Sequence, residues 1–427
     1  MVRSLSGLTT RGRCLLAAGV AAGVCAVVLN ERDLLRVAVF VVGLPLLVAV
    51  FIAASRVRIG AARALLPDRV SAGSASEVEL SLWRNGKLPA GEVLLEDGVP
   101  YALGSRPRFV VERLPQGRAV ALRYPIQPML RGIQQVGPLR ATLTDPFGLC
   151  EFDRELIGHS RLVVVPQVVP LFGLPGGAGL GSGDDGSVRL HAGQGEPDVI
   201  VRHYRQGDDL RKVHWRSTAR RDEIMVRVEE RPWRGGTTVL LDHRAAAHHG
   251  SGPAASLEWA ISFAASVCLH IRRSGHRIRL VTEHGRVLAD VAAYGGESSD
   301  TADNVILDTL AALQPTHQRD LTVGHDPAEG QELIAVLGTV SNEAVGQLAQ
   351  YRRRGTRSLA VLLDTPAFTG GTGVPDHRAA ATEESAALLR AAGWGVVVAG
   401  EGAPMPQVWA ELCRTGAGRG MLIGGHA

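Results

Sequence analysis

The chain has 427 residues, 45% of them apolar and 21% charged, so it is too long for one ordinary domain and too apolar to be disordered throughout. Its 46 basic and 42 acidic side chains leave a net charge of +4, which does not announce a nucleic-acid binder. Five scattered cysteines (Cys14, Cys25, Cys150, Cys268, Cys413), with no CxxC pair, argue against a disulfide scaffold or a structural zinc site and fit a reducing compartment.

The chain opens with two apolar stretches. Cys14 to Leu29 carries no charge, Asn30, Glu31, Arg32 and Asp33 interrupt, and Val37 to Ala54 is again free of charge. Eighteen helical residues rise about 27 Å, close to the hydrocarbon thickness of a bilayer. The pattern predicts two membrane helices, about 14–30 and 37–54, within a segment 1–56. A cleaved signal peptide is the alternative for the first stretch, but no small-residue cleavage site precedes the second. Arg3, Arg11 and Arg13 lie before the pair, and Arg56, Arg58 and Arg63 after it. Positive flanks stay inside. The expectation is a two-span protein of the inner or plasma membrane with both termini cytoplasmic.

From 57 to 171 the pattern becomes β-rich. Glu77 to Trp83 alternates polar and apolar residues, as do Phe109 to Glu112 and Ala119 to Tyr124 more loosely. Turn signals such as Asn85-Gly86 and Asp145-Pro146 separate them. Short strands without a helical period predict a sandwich-like domain. Residues 172–198 are rich in Gly, Asp and Ser and read as a flexible linker. The GxGxxG within it, Gly181 to Gly186, has no strand before it and no helix after it, and Asp184 and Asp185 would repel a pyrophosphate.

Residues 199–236 form a charged cassette. Gly207 can supply a tight turn and Asp208 can cap a short helix running past Trp215 toward Ala219. Glu223 to Val228 reads as a strand. Three readings stay open. Asp208 and Asp209 can accept bidentate bonds from nearby arginines such as Arg211 and Arg220 and lock two domains together. The segment can dock a partner protein, with Trp215 and the arginines as anchors. Or Asp208, Asp209 and His214 can serve a hydrolase.

From 237 onward strands and helices alternate. Thr238 to Asp242, Arg277 to Thr282, Glu332 to Leu337, Ser358 to Asp364 and Gly395 to Ala399 read as strands. Helices fit 253–274, 303–313, 342–354 and 385–392. This predicts a mostly parallel sheet covered on both faces. Asp242, at a strand's carboxyl end, is the first metal candidate. Arg244 beside it opposes a cation, and His243, His248 and His249 have no fixed facial geometry. No metal and no cofactor are expected.

Three blocks resemble the "domain of unknown function 58" family. They are Arg131 to Arg140 running into Asp145-Pro146-Phe147-Gly148-Leu149, then Arg161 to Pro170, then the cassette from Tyr204 through Gly207, Asp208, Asp209, Arg211, His214 and Trp215 to Arg220. The resemblance implies a membrane helical hairpin, a β-sandwich-like segment and a von Willebrand factor type A-like α/β domain over 237–427. Type A domains often hold a metal through Asp-x-Ser-x-Ser. Here Asp242 is followed by Arg244 and Ala246, so both hydroxyl ligands are missing. Family members are often encoded beside a MoxR-type AAA+ ATPase and a transglutaminase-like membrane protein, which implies these two as partners.

The chain lacks GxxxxGK[ST], GxSxG and HExxH motifs. The expected function is a membrane-anchored scaffold or adaptor working with the ATPase in complex assembly or envelope-related maturation. An enzyme built on Asp208, Asp209 and His214 is the alternative. No nucleic-acid partner is expected, and the oligomeric state stays open.

Overall fold

The computed structural model describes residues 7–54, 59–84, 92–112, 114–115, 117–145, 147–175, 199–203, 220, 225–229, 236–292, 299–322, 326–329, 331–352, 356–369 and 377–417. They fall into two compact units. The first comprises 1–168 with 251–253 and 307–314; the second comprises 169–250, 254–306 and 315–427.

The first unit begins with two helices, α1 (Thr10–Leu29) and α2 (Arg32–Ala54). Thr9 caps α1 by accepting from the Gly12 amide at 3.2 Å, so the helix starts earlier than the apolar run itself. Asn30, in the left-handed region with φ 55°, ends it. The helices pack antiparallel, Gly19 against Val41 and Val42, Gly23 against Ala38. A Cβ on Gly19 would approach Val42 Cγ2 to 2.7 Å, so glycine permits this closeness. α1 is long and apolar enough to cross a membrane by length and composition. Its flank is exposed where a soluble core helix would be covered: Val24 is 60% and Val28 77% accessible.

Ten strands follow among the described residues of the first unit. One sheet orders β1 (Ile59–Leu66), β3 (Ser76–Arg84) and β6 (Val120–Ile126). A second orders β2 (Arg69–Ser71), β10 (Ser160–Val165) and β7 (Gly132–Val136). A third orders β5 (Arg108–Val111), β4 (Val93–Asp97), β8 (Leu139–Thr144) and β9 (Glu151–Ile157). All pairings are antiparallel except β2 with β10. In β3, Val78, Leu80 and Leu82 alternate inward with no exposure, as the period of two requires. They join Leu95, Leu139, Ala141, Leu162 and Val164 in one core shared by all three sheets.

An ion pair lies inside that core. The Arg63 guanidinium meets Asp97, and both side chains are fully buried. Tyr124 donates to the same carboxylate at 2.6 Å. Arg63 also donates to the carbonyls of Val136 and Gly158, each at 2.9 Å. One side chain from β1 thus ties the ends of β4 and β7 to its own sheet. Arg63, expected among the flanking charges of the membrane segment, is a core residue.

In the second unit, β11 (Val199–His203) and β12 (Met225–Glu229) pair antiparallel. A six-stranded sheet has the order β15 (Val287–Val291), β14 (Arg277–Thr282), β13 (Gly236–Leu241), β16 (Glu332–Leu337), β17 (Ser358–Leu363), β18 (Gly395–Ala399). Five strands are parallel and β15 is an antiparallel edge. Every residue of β16 and β17 is buried, as in a sheet covered on both faces. α5 (Asn342–Gln350) and α6 (His377–Ala391) close one face around Leu348, Leu389 and Trp394. α3 (Ser256–Arg273) packs on β13 and β14, and α7 (Met405–Ala417) on β17 and β18. α4 (Ser299–Ala312) is divided, with 299–306 in the second unit and 307–312 in the first. The expected helix 342–354 ends at Gln350, and β15 and α7 had no clear signal in the sequence. Gly173, inside the expected linker, accepts from His270 Nε2 at 2.7 Å and Trp409 Nε1 at 3.1 Å.

Candidate functional site

The strand order sets where a ligand would bind in the second unit. β13 is followed by β14 on one side, and the chain then crosses to β16 on the other. The carboxyl ends of β13 and β16 therefore flank a switch point, where open α/β sheets form their binding crevice. Asp242 stands at that point, fully buried.

Arg244 closes the crevice from within. Its Nε donates to Asp242 Oδ1 at 2.9 Å and its Nη2 to Oδ2 at 2.7 Å, a planar fork on a planar carboxylate. The Arg244 amide adds a third bond to Oδ1 at 3.1 Å. The remaining donors reach the carbonyls of Arg319 at 2.8 Å and Thr339 at 3.1 Å. The Gly338 amide supplies Oδ2 from the facing strand end at 3.3 Å. A Cβ on Gly338 would fall 2.2 Å from the Ala247 carbonyl oxygen, so backbone fills the rest. Where a cation would sit, the chain supplies its own.

The histidines of this loop serve different partners. His248 Nε2 faces the Asp242 carbonyl at 2.8 Å, and its Nδ1 faces Ser256 Oγ at 3.1 Å. The carbonyl can only accept, so Nε2 carries the proton and Ser256 donates to Nδ1. Burial pushes the His248 pKa down, partly offset by Asp242. His243 Nδ1 meets Glu283 Oε2 at 2.6 Å, and its amide donates to the same oxygen at 3.2 Å. Burial alone would raise the Glu283 pKa, but the His243 bonds outweigh it and the net direction is down. Among the described residues, no group of three or more His, Cys, Asp or Glu side chains converges to hold a metal ion. Glu283, Arg319 and Thr339 were not singled out from sequence. Glu283 had the same signal as Asp242, a carboxylate directly after a buried strand.

Asp145, Phe147 and Gly148 form a turn between β8 and β9. Asp145 Oδ1 accepts from the Cys150 amide at 2.5 Å and Oδ2 from the Phe147 amide at 3.0 Å. Gly148 takes φ +67°, which favours glycine there. Tyr204, Gly207, Asp208, Asp209, Arg211, His214, Trp215 and Pro146 lie outside the described residues, as does the GxGxxG at 181–186. Arg220 is described and exposed. His203 pairs with Met225, so the two ends of the segment that holds the cassette are adjacent.

A cleft of about 670 Å³ lies on the four-stranded sheet of the first unit. Arg106, Arg108, Arg140 and His159 line it together with Glu96 and Glu151. Register places Arg108, Glu96 and Arg140 side by side across β5, β4 and β8.

No curated protein sequence matches the chain. Among solved structures, it is similar to the CARDB domain of the PF1109 protein from Pyrococcus furiosus, in complex with di-metal ions. That likeness has 16% identity and TM-score 0.19, covering 25% of this chain and 91% of that one. A candidate beta-galactosidase from Bacteroides fragilis is similar at 11% identity and TM-score 0.17, covering 79% of this chain and 38% of that one. Scores this low define no fold. Residues 200–344, which span the cassette, β13 and the Arg244-filled switch point, match the family described as "Protein of unknown function DUF58", and this supports the family that the motifs resemble.

Proposed function

We propose that the chain is a membrane-anchored scaffold without a reaction of its own. Its two units offer docking surfaces to a MoxR-type AAA+ ATPase, with a transglutaminase-like membrane protein in the same assembly, during complex assembly or envelope-related maturation. The observation that carries this reading is Arg244 on Asp242. The crevice in which an α/β sheet of this kind would hold a metal or substrate is filled by a buried guanidinium. The sheet follows a von Willebrand factor type A-like plan used here for shape.

The anchoring reading has α1 and α2 both crossing the bilayer. Phe40 and Leu47 of α2 are 68% and 69% accessible, like the flank of α1. Arg32 and Arg36 flank the Asn30 end, whereas Arg3, Arg11 and Arg13 around the start of α1 and Arg56 and Arg58 after α2 flank the other. The Arg11 end is therefore cytoplasmic, and the units that follow α2 lie on that side.

The test is capture of the full-length protein from membranes with and without nucleotide, with Asp209→Asn and Trp215→Ala as variants. Retention of the ATPase in one nucleotide state, lost in a folded cassette variant, supports docking. A reaction catalysed by the purified protein and lost in folded Asp209→Asn would establish the hydrolase instead.

A further inference from the structure

The scaffold reading assigns no task to the tip of the Asp145–Cys150 turn. In the first unit this turn lies against the first residues of α1. The Thr9 amide donates to the Leu149 carbonyl at 2.9 Å, and Thr9 Oγ1 donates to the Gly148 carbonyl at 2.7 Å. A Cβ on Gly12 would stand 2.2 Å from the Leu149 oxygen, so helix and turn are in direct backbone contact. Leu149 and Cys150 pack with Leu8 and with Ala49 of α2, alongside Leu44 and Val48.

The level of this contact follows from helix length. Twenty residues of α1 rise about 30 Å, the whole hydrocarbon thickness of a bilayer. A turn pinned to the start of α1 therefore lies where acyl chains give way to headgroups. Phe147 at its tip is 65% accessible although its amide is fixed by Asp145. It presents an aromatic ring at that level. Arg11 and Arg13 are exposed on the adjoining turn of α1. Arg11 Nη1 lies 3.7 Å from where a Cβ on Gly148 would stand. Neither arginine forms an ion pair among the described residues.

We propose that this turn is a lipid contact. Phe147 enters the boundary between headgroups and acyl chains, while Arg11 and Arg13 pair with the phosphates of anionic phospholipids. Interfacial aromatic and basic residues settle there, roughly 5–10 Å deep for an apolar face. The β8–β9 turn then holds the first unit against the membrane surface. The inference rests on the anchoring reading above.

Fluorine NMR of the full chain in lipid nanodiscs tests it. A fluorinated phenylalanine replaces Phe147, Val24 or Tyr101 in turn, Tyr101 being 99% accessible at the start of a one-turn 3-10 helix. A water-soluble gadolinium chelate should relax the Phe147 probe several-fold less than the Tyr101 probe, with Val24 protected most. In phosphatidylglycerol, Arg11→Gln with Arg13→Gln should reduce the protection of Phe147, and in phosphatidylcholine it should not. A Phe147 probe relaxed like Tyr101 while Val24 stays protected overturns the lipid contact alone. A Val24 probe relaxed like Tyr101 overturns the anchoring reading and this inference with it. Equal effects of the arginine variant in both lipids overturn the phosphate pairing.

Discussion

Arg244 holds Asp242 in a two-pronged grip, at 2.9 Å and 2.7 Å, at the switch point of the six-stranded sheet, where strand order would open a crevice. The side chains are 5% and 0% accessible. Removing one partner strands the other charge away from water, which costs roughly 3–5 kcal/mol for a buried pair. Arg244→Ala and Asp242→Asn should each destabilise the second unit by about that amount. The double variant should cost less than their sum, because the two act as one unit. Urea denaturation followed by tryptophan fluorescence measures all three.

The buried pair of the first unit ranks its variants. Tyr124→Phe removes one hydrogen bond to Asp97 and should cost roughly 1.5–3 kcal/mol, as for a bond to a charged group. Asp97→Ala leaves Arg63 buried and uncompensated and should cost more, roughly 3–5 kcal/mol. Burial and the Asp97 hydrogen bond also raise the Tyr124 pKa, so the phenol should stay un-ionised in mild alkali while the fold holds. Ultraviolet titration of phenolate reads this.

Acid should loosen the second unit in two stages. His248 has its pKa lowered from 6.5 and Glu283 from 4.5. Each group binds fewer protons folded than unfolded, so its contribution to stability is complete above its ordinary value. That contribution is lost as pH falls through the lower folded value. The first loss begins below pH 6.5 through His248 and the second below 4.5 through Glu283. Denaturation midpoints across pH should show both, and His248→Gln should shrink the first stage, leaving the part due to His276, whose pKa burial also lowers.

Gly12→Ala should push the Asp145–Cys150 turn off α1, since backbone stands 2.2 Å from the new Cβ and cannot yield as a side chain would. Cys150, buried in the native protein, reports the change. Site-resolved maleimide labelling should show it unreactive in the native chain and reactive in the variant.

Patterning made the strands legible. Glu332–Leu337 and Gly395–Ala399 have the bounds that their apolar runs predicted, because fully buried parallel strands are continuous apolar runs, and Arg277–Thr282 has its predicted bounds despite two arginines. The split of the β-rich segment into three sheets was not legible, because alternation fixes faces and not partners. Asp242 is legible from its place after a strand, and Arg244 from its charge beside that carboxylate. That Arg244 turns back onto Asp242 depends on carbonyls of Arg319 and Thr339, far along the chain, and no local pattern encodes it. Arg63 misled for the same reason: its core partner Asp97 comes 34 positions later.

The measurement closest to the central claim is a manganese titration of the full-length protein in nanodiscs, followed by the paramagnetic resonance of free Mn(II). With Arg244 filling the switch point, the free signal should rise in step with added metal, as it does for empty nanodiscs. Stoichiometric uptake by the native chain, abolished by Asp242→Asn in a folded protein, would show an open metal site and contradict the account.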